Sequence, residues 1–334
     1  MTEKPPDEFF KLIQERDEDV SLRPRRLDEF IGQERTKSNL LVYVSASLSR
    51  GEPLDHVLLY GPPGLGKTTL ASIIANELGR EARFLSGPTF TRAGDVASIL
   101  TGLSPHDVLF VDEIHRLPRA CEEALYSAME DFAIDVVVGK GPGAKSIRIS
   151  LPPFTLVGAT TRVSLISAPL RNRFGIIEKI DYYPEPELTR IIVRSAEVMS
   201  VDIDRPAARA IASCSRGTPR IANRLLKRAR DFAYFYACAL IDPAMVEKTM
   251  ACLDIDPKGL TRIDRTLLHV LVEQYQGGPV GINNLATMLG EDTNTVEEVY
   301  EPFLVQLGMI ARTPRGRVIT PGGLRYLKEK DTEQ

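Results

Sequence analysis

Nine consecutive residues constrain this chain more than any other feature: Gly61-Pro-Pro-Gly-Leu-Gly66-Lys67-Thr68-Thr69. They follow the apolar run His56-Val-Leu-Leu-Tyr60 and open a helical stretch reaching about Leu78. The run fits G-x-x-x-x-G-K-[ST] between a strand and a helix. In that setting backbone N–H groups wrap phosphates and the helix N-terminus adds its positive dipole end. Gly64 and Gly66 let the loop curl, and Lys67 is placed to neutralise β- and γ-phosphates. Thr68 offers a hydroxyl to Mg²⁺, and Thr69 continues the binding turn.

Three further apolar runs, Val108–Val111, Phe154–Ala159 and Ile176–Ile180, alternate with helical stretches. Continuous rather than alternating apolar runs predict a parallel sheet covered on both faces, hence a doubly wound α/β domain to about Tyr183. Val108-Leu-Phe-Val-Asp112-Glu113 ends in two carboxylates at the strand end where such a sheet holds its ligand. Asp112 suits the Mg²⁺ hydration shell, and Glu113 the activation of an attacking water. The competing role for Asp112, capping the next helix, loses weight beside the phosphate loop. In Gly158-Ala-Thr160-Thr161-Arg162 the Thr160 hydroxyl faces either a γ-phosphate or its own turn. Arg171 and Arg173 precede the last strand. Within one chain they read as solvated charges; in a ring, one reaches a neighbour's γ-phosphate. Gly217-Thr-Pro-Arg220 puts a cation in the first turn of a helix, which the dipole disfavours unless a phosphate is near.

The 334 residues are enough for two or three domains. With 43% hydrophobic and 26% charged residues, wholesale disorder is excluded. A formal charge of −3, from 42 basic and 45 acidic side chains, excludes a globally basic nucleic-acid binder but not a local basic patch. Residues 1–20 read as a flexible N-terminal arm, and 21–184 as the large ATPase domain. Inserted at 134–150 is a β-hairpin with the Gly-rich tip Gly139–Gly143 and no core role of its own. Residues 185–255 read as a small all-helical domain with helices at 187–199, 206–214, 219–236 and 243–252. Pro219 and Pro243 stand at first helical positions. Residues 256–330 read as helices at 262–275, 281–289 and 295–307 closed by a hairpin around Thr313–Gly316, a winged helix-turn-helix. Arg312, Arg315 and Arg317 on that wing have no acid between 311 and 320, which predicts pairing with backbone phosphates rather than base reading. Glu297, Glu298 and Glu301 on the preceding helix would repel those phosphates.

The longest apolar run, Phe232–Ile241, is too short to span a bilayer and reads as a buried helix end. Cys121, Cys214, Cys238 and Cys252 form no CxxC pair, which predicts four small buried side chains and no metal. The four histidines lack ligand spacing, and His115, beside the acidic pair, is either support for it or plain structure. A polar, acidic N-terminus without an apolar core predicts a cytoplasmic protein.

The motifs, in this order, resemble AAA+ ATPases. With Val111-Asp-Glu-Ile-His-Arg116, Ala128-Met-Glu-Asp-Phe132, Arg216-Gly-Thr-Pro-Arg-Ile-Ala222, Gly277-Gly-Pro-Val-Gly281 and Arg312-Thr-Pro-Arg-Gly-Arg317, the chain resembles the RuvB family of bacterial Holliday-junction branch-migration motors over about residues 20–327. The resemblance implies an AAA+ P-loop parallel-sheet domain, a small helical domain and a C-terminal winged-helix domain. It implies ATP hydrolysis with Mg²⁺, a hexameric ring, and work on Holliday-junction and duplex DNA in recombination, repair and the SOS response. A junction-binding partner of RuvA type would dock on hairpin 134–150, and the junction resolvase would be a further partner. Residue by residue, it assigns Lys67 and Thr68 to phosphate and Mg²⁺, Asp112 and Glu113 to the metal–water and catalytic pair, and Thr160 to the first sensor. Arg173 becomes the finger acting in trans, Arg220 the second sensor. Leu22, Arg23 and Tyr183 become nucleotide contacts, and Glu130-Asp131-Phe132 a further nucleotide-proximal stretch. Two rivals are an ATP switch of the clamp-loader or initiator kind, which assembles a partner without translocating, and an unfoldase. The latter needs aromatic pore loops, which the Gly139–Gly143 tip does not offer.

Overall fold

Five parallel strands carry the first half of the chain: β1 (Val57–Tyr60), β2 (Ala82–Ser86), β3 (Val108–Asp112), β6 (Thr155–Thr160) and β7 (Ile176–Lys179), in the order β2-β3-β6-β1-β7. The computed structural model describes residues 22–138 and 145–333. The expected arm 1–20 and the hairpin tip Gly139–Gly143 lie outside the described residues. The chain divides into two compact units: residues up to Ser200 with Gly217–Asn223, and Val201–Arg216 with the chain from Arg224 onward.

Strands β1 and β6 are buried almost throughout because helices cover both faces, which is why their sequences lack alternation. The helices are α1 (Glu34–Arg50), α2 (Lys67–Leu78), α3 (Ala93–Thr101), α4 (Arg119–Asp131), the single turn α5 (Ala168–Arg171) and α6 (Glu185–Val198). Strand β2, Ala-Arg-Phe-Leu-Ser, was not foreseen. It is an edge strand whose Phe84 is half exposed, so it lacks an apolar run. Tyr60 pairs with Thr160 and Val111 with Gly158, so the C-terminal ends of β1, β6 and β3 lie side by side.

Strands β4 (Ala133–Val138) and β5 (Lys145–Ser150) form the inserted antiparallel hairpin, paired from Ala133 with Ser150 to Val138 with Lys145. Its root does have a core role, contrary to expectation. Ile134 and the adjoining Leu151 are buried in the α3–α4 core and Ile149 packs against it.

In the second unit a two-residue parallel pair, β8 (Asp202–Ile203) with β9 (Leu240–Ile241), interrupts a stretch expected to be purely helical. Around it stand α7 (Arg205–Ser213), α8 (Pro219–Phe235), whose first turn belongs to the other unit, and α9 (Pro243–Cys252). The winged-helix core gathers Leu267, Leu268 and Leu271 from α10 (Arg262–Glu273), Leu285 from α11 (Ile282–Leu289), and Phe303, Leu304 and Tyr326 from later helices. The helix expected over 295–307 is instead α12 (Thr293–Thr295), a π-helical turn Val296–Tyr300, and α13 (Glu301–Gln306). Pro302 has no N–H for an i→i−4 bond, and a widened turn accommodates it. The wing, β10 (Ile310–Thr313) with β11 (Gly316–Ile319), is followed by an unforeseen helix α14 (Pro321–Glu333).

The run Phe232–Ile241 is not a buried helix end. Helix α8 stops at Phe235, Ala237 takes a left-handed turn (φ 53°), and Tyr234 and Phe235 are 89% and 78% exposed. Hydropathy marks the run as core, but helical periodicity ends inside it. Cys238 and Cys252 are likewise exposed; only Cys121 and Cys214 are buried. Among the described residues no helix is long and apolar enough to cross a membrane.

Candidate active site

The loop between β1 and α2 depends on glycine. Gly61, Gly64 and Gly66 have φ of 149°, 77° and 95°, a region side chains avoid. A Cβ on Gly61 would stand 2.2 Å from the Ile180 carbonyl oxygen, and one on Gly64 3.0 Å from Arg220 Cβ. Lys67 turns inward at the first residue of α2. Its Nζ donates to the carbonyl oxygens of Gly61 (2.8 Å) and Pro62 (2.7 Å). Burial pulls its pKa down to about 8; the Asp112 carboxylate opposes that shift and the Arg220 cation adds to it. Three charges thus converge on one loop. Thr68 follows half-buried and Thr69 buried.

At the end of β3, Asp112 Oδ1 accepts the Glu113 N–H at 2.9 Å. Glu113 has left-handed φ and ψ of 47° and 43°, an outlier of the kind that collects at functional sites. The close approach of Gly87, whose Cβ would lie 2.4 Å from the Glu113 carbonyl oxygen, helps hold that turn. Glu113 Oε2 accepts from Arg116 Nη1 at 2.8 Å. Sequence reasoning missed Arg116, although the i,i+3 spacing in Glu113-Ile-His-Arg116 was its signal. Thr160 is buried at the end of β6. Its hydroxyl lies 3.0 Å from His115 Nδ1 and accepts the Arg162 N–H at 2.9 Å. His115, left open from sequence, is therefore tied to Thr160.

Arg220 and Tyr183 close on the loop from another side. The Arg220 N–H donates to the Gly64 carbonyl at 3.3 Å, and the Tyr183 hydroxyl to that of Leu65 at 3.3 Å. Tyr183 N–H also reaches the Gly217 carbonyl (2.9 Å), and burial raises the pKa of its phenol. Leu22 is buried, its carbonyl accepting from Arg194 at 2.8 Å, and Arg23 follows it half-buried.

Glu130, Asp131, Phe132 and Arg173 are not brought to this loop. Phe132 packs edge-on against Phe154 and His56, residues just before β6 and β1, at the opposite end of the sheet. There His56 Nδ1 accepts the Leu156 N–H (2.9 Å), so Nε2 carries the hydrogen and donates to the Met129 carbonyl (3.1 Å). Burial lowers the pKa of this imidazole. Asp131 pairs with Arg148 of the hairpin at 2.7 Å. Arg173 lies over the Tyr126 ring, 4.5 Å from its centroid, donates to the Pro169 carbonyl (2.8 Å) and pairs with Glu130 (2.9 Å).

In the second unit the three wing arginines differ. Glu301, 1% exposed, accepts from Arg317 Nε and Nη2 (3.0 and 3.1 Å) and from Arg312 Nε (2.6 Å). It therefore offsets part of the wing's charge from within, buried and paired where the sequence suggested a side chain facing phosphates. Arg317 is largely covered and Arg312 half exposed. Arg315 is exposed, with no ion pair among the described residues, over a cleft of about 400 Å³ that also involves Asn283 and Asn284.

Comparison with known proteins places these features in one frame. Family models match nearly end to end: "Holliday junction DNA helicase RuvB P-loop domain" over residues 22–180, "RuvB AAA lid domain" over 183–256 and "RuvB C-terminal winged helix domain" over 257–328. The Holliday junction branch migration complex subunit RuvB of Limosilactobacillus reuteri is 55% identical over 309 residues, 92% of this chain and 91% of that protein. The solved structure of the Thermotoga maritima RuvB Holliday junction branch migration motor is 53% identical. It has a TM-score of 0.84, over 92% of this chain and 98% of that one.

Proposed function

We propose, because this chain belongs to the RuvB family of P-loop ATPases, that it is an ATP-driven motor for branch migration of Holliday junctions in recombinational repair. In this reading it works as a cytoplasmic hexameric ring with a RuvA-type partner on hairpin 134–150, its domains being 21–184, 185–255 and 256–330. One observation carries the reading. Lys67, Asp112, Glu113 and Thr160 meet at one end of the sheet, while Arg173 is held away from them by Tyr126, Pro169 and Glu130. Each chain holds most of one site and a single cation for another.

The Gly64–Gly66 amides and Lys67 would bind the triphosphate, for which Lys67 exchanges the Gly61 and Pro62 carbonyls for phosphate oxygens. Thr68 and Asp112, a hydroxyl and a carboxylate at an open strand end, fit the sparse protein ligation that Mg²⁺ accepts. When bound, Mg²⁺ supplies charge neutralisation between phosphates. Glu113, released from Arg116, takes the proton of the attacking water, and Thr160, steadied by His115, orients that water or the γ-phosphate. A neighbour's Arg173 meets the charge developing on the transferred phosphoryl group. Arg220 senses the same group beside Gly64. On the wing, Arg315 and the outer edge of Arg312 grip DNA phosphates without reading bases.

The test is ATP turnover and migration of a labelled synthetic four-way junction, with and without the partner. Turnover stimulated by junction plus partner, together with strand exchange, is expected. Binding without migration under every salt and Mg²⁺ condition would favour the clamp-loader-like switch and overturn the motor.

A further inference from the structure

The backbone passes between the two compact units at three places, after Ser200, after Arg216 and, within α8, after Asn223; the second is the peptide bond between Arg216 and Gly217. On the Gly217 side two backbone contacts lead to the nucleotide loop. The Gly217 carbonyl accepts from Tyr183, and three residues on, Arg220 donates to Gly64. On the Arg216 side the contacts run to the winged-helix core. Arg216 Nη2 pairs with Asp264 Oδ2, its Nε donates to the Gly259 carbonyl at 3.1 Å, and its guanidinium lies 4.6 Å from the Phe303 ring centroid.

This joint is buried and tightly specified. The Arg216 side chain is 12% exposed and that of Asp264 0%. Asp264 is also the third residue of α10 and closes the capping box with the N-cap Thr261, its Oδ2 accepting from Thr261 N (2.7 Å) and Thr261 Oγ1 (2.6 Å). Its Oδ1 has no partner among the described residues. Arg216 sits at a left-handed φ of 52°, which a residue with a β-carbon adopts only when its surroundings impose it. The adjoining Gly259 comes so close to Cys214 that a Cβ there would lie 2.9 Å from the Cys214 carbonyl oxygen. A buried ion pair adds little net stability over a well-packed apolar pair, and its best-attested use is to fix one geometry.

We propose that Arg216 and Asp264 form the coupling strut of this motor. They clamp the residue that precedes the sensor turn onto the first helix of the winged-helix core. When nucleotide moves the Gly217–Arg220 turn, the DNA-holding core is then carried with it, and the displacement is not absorbed by a slack linker. Arg216 touches neither nucleotide nor DNA in this assignment; it is a positioning residue. The inference rests on the motor reading above.

The test uses the full chain, with partner and junction DNA. Arg216→Met keeps the stem over Phe303 without a charge, and Asp264→Asn keeps a cap for α10. The double variant therefore leaves no unpaired buried ion. The readout is branch points migrated per ATP hydrolysed, with thermal unfolding, ATP turnover and junction binding measured alongside. We expect turnover and binding within about threefold of the parent and migration per ATP reduced at least tenfold. Arg216→Lys, which keeps the ion pair but loses the planar contact with Phe303, is expected to lie between. Should the double variant fail to fold, Arg216→Lys decides alone. Undiminished migration per ATP in the folded variants overturns the strut while leaving the motor intact. A parent chain that hydrolyses ATP without moving junctions overturns the motor reading, and the strut with it.

Discussion

At the C-terminal ends of β1, β3 and β6 the backbone is bent through Gly61, Gly64, Gly66 and Glu113, beside the charges of Lys67, Asp112 and Arg220. One strand length away, the same sheet is sealed by Phe132, Phe154 and a neutral His56, while Arg173 is seated on Tyr126 and Glu130 along α4. Four residues of β1 at about 3.3 Å each separate the two ends by about 13 Å. The polar end carries the residues of the proposed nucleotide site, and the opposite end is closed by aromatic side chains. In the proposed reading, a neighbour's Arg173 completes the polar end.

The largest expected effect tests that division directly. Arg173→Ala should lower turnover by about 10³-fold or more, the usual worth of an arginine finger, with ATP affinity nearly unchanged. Rings mixing it with a Glu113→Gln chain should regain turnover, because each lesion is covered by a neighbour. Failure to complement would move the role to Arg171. Glu113→Gln alone should cost about 10²–10⁴-fold in turnover, the range for general-base loss, with ATP still bound in filter or fluorescence assays; normal turnover would empty the polar end of its base.

A smaller effect comes from Lys67. Phosphates raise its pKa above the free value of about 8, so the charge contribution to affinity is complete below that pH and is lost as pH rises through it. Affinity should fall about tenfold per unit above 8, with net proton uptake in calorimetry across buffers of differing ionisation enthalpy. Lys67→Arg should abolish the uptake. Smallest of all, Phe132→Leu should cost about 1 kcal/mol in thermal or denaturant unfolding and leave ATP affinity untouched. A marked loss of affinity would return Glu130–Phe132 to the nucleotide and blur the contrast.

What could be read from sequence was what is local. The phosphate loop, the Asp112–Glu113 strand end and Thr160 each announce themselves within a few residues, and the continuous apolar runs of β1, β3 and β6 reveal a sheet covered on both faces. What escaped depends on distance or on endings. The polar edge strand β2 carries no apolar run. The stretch Phe232–Ile241 looks like core because hydropathy does not register where α8 stops. The wing arginines look equivalent until Glu301, 11 residues before Arg312 and 16 before Arg317, is seen beneath them. His115 and Thr160 meet across 45 residues. The seating of Arg173 on Tyr126 and Glu130, 47 and 43 residues earlier, follows from the fold rather than from any motif.

The carboxylate under the wing has one more implication. A machine that advances along a duplex has to let go as often as it takes hold, and three unopposed guanidinium groups would cling through the whole stroke. In the proposed reading, Glu301 beneath Arg312 and Arg317 would weaken that handhold and shorten the time each grasp lasts.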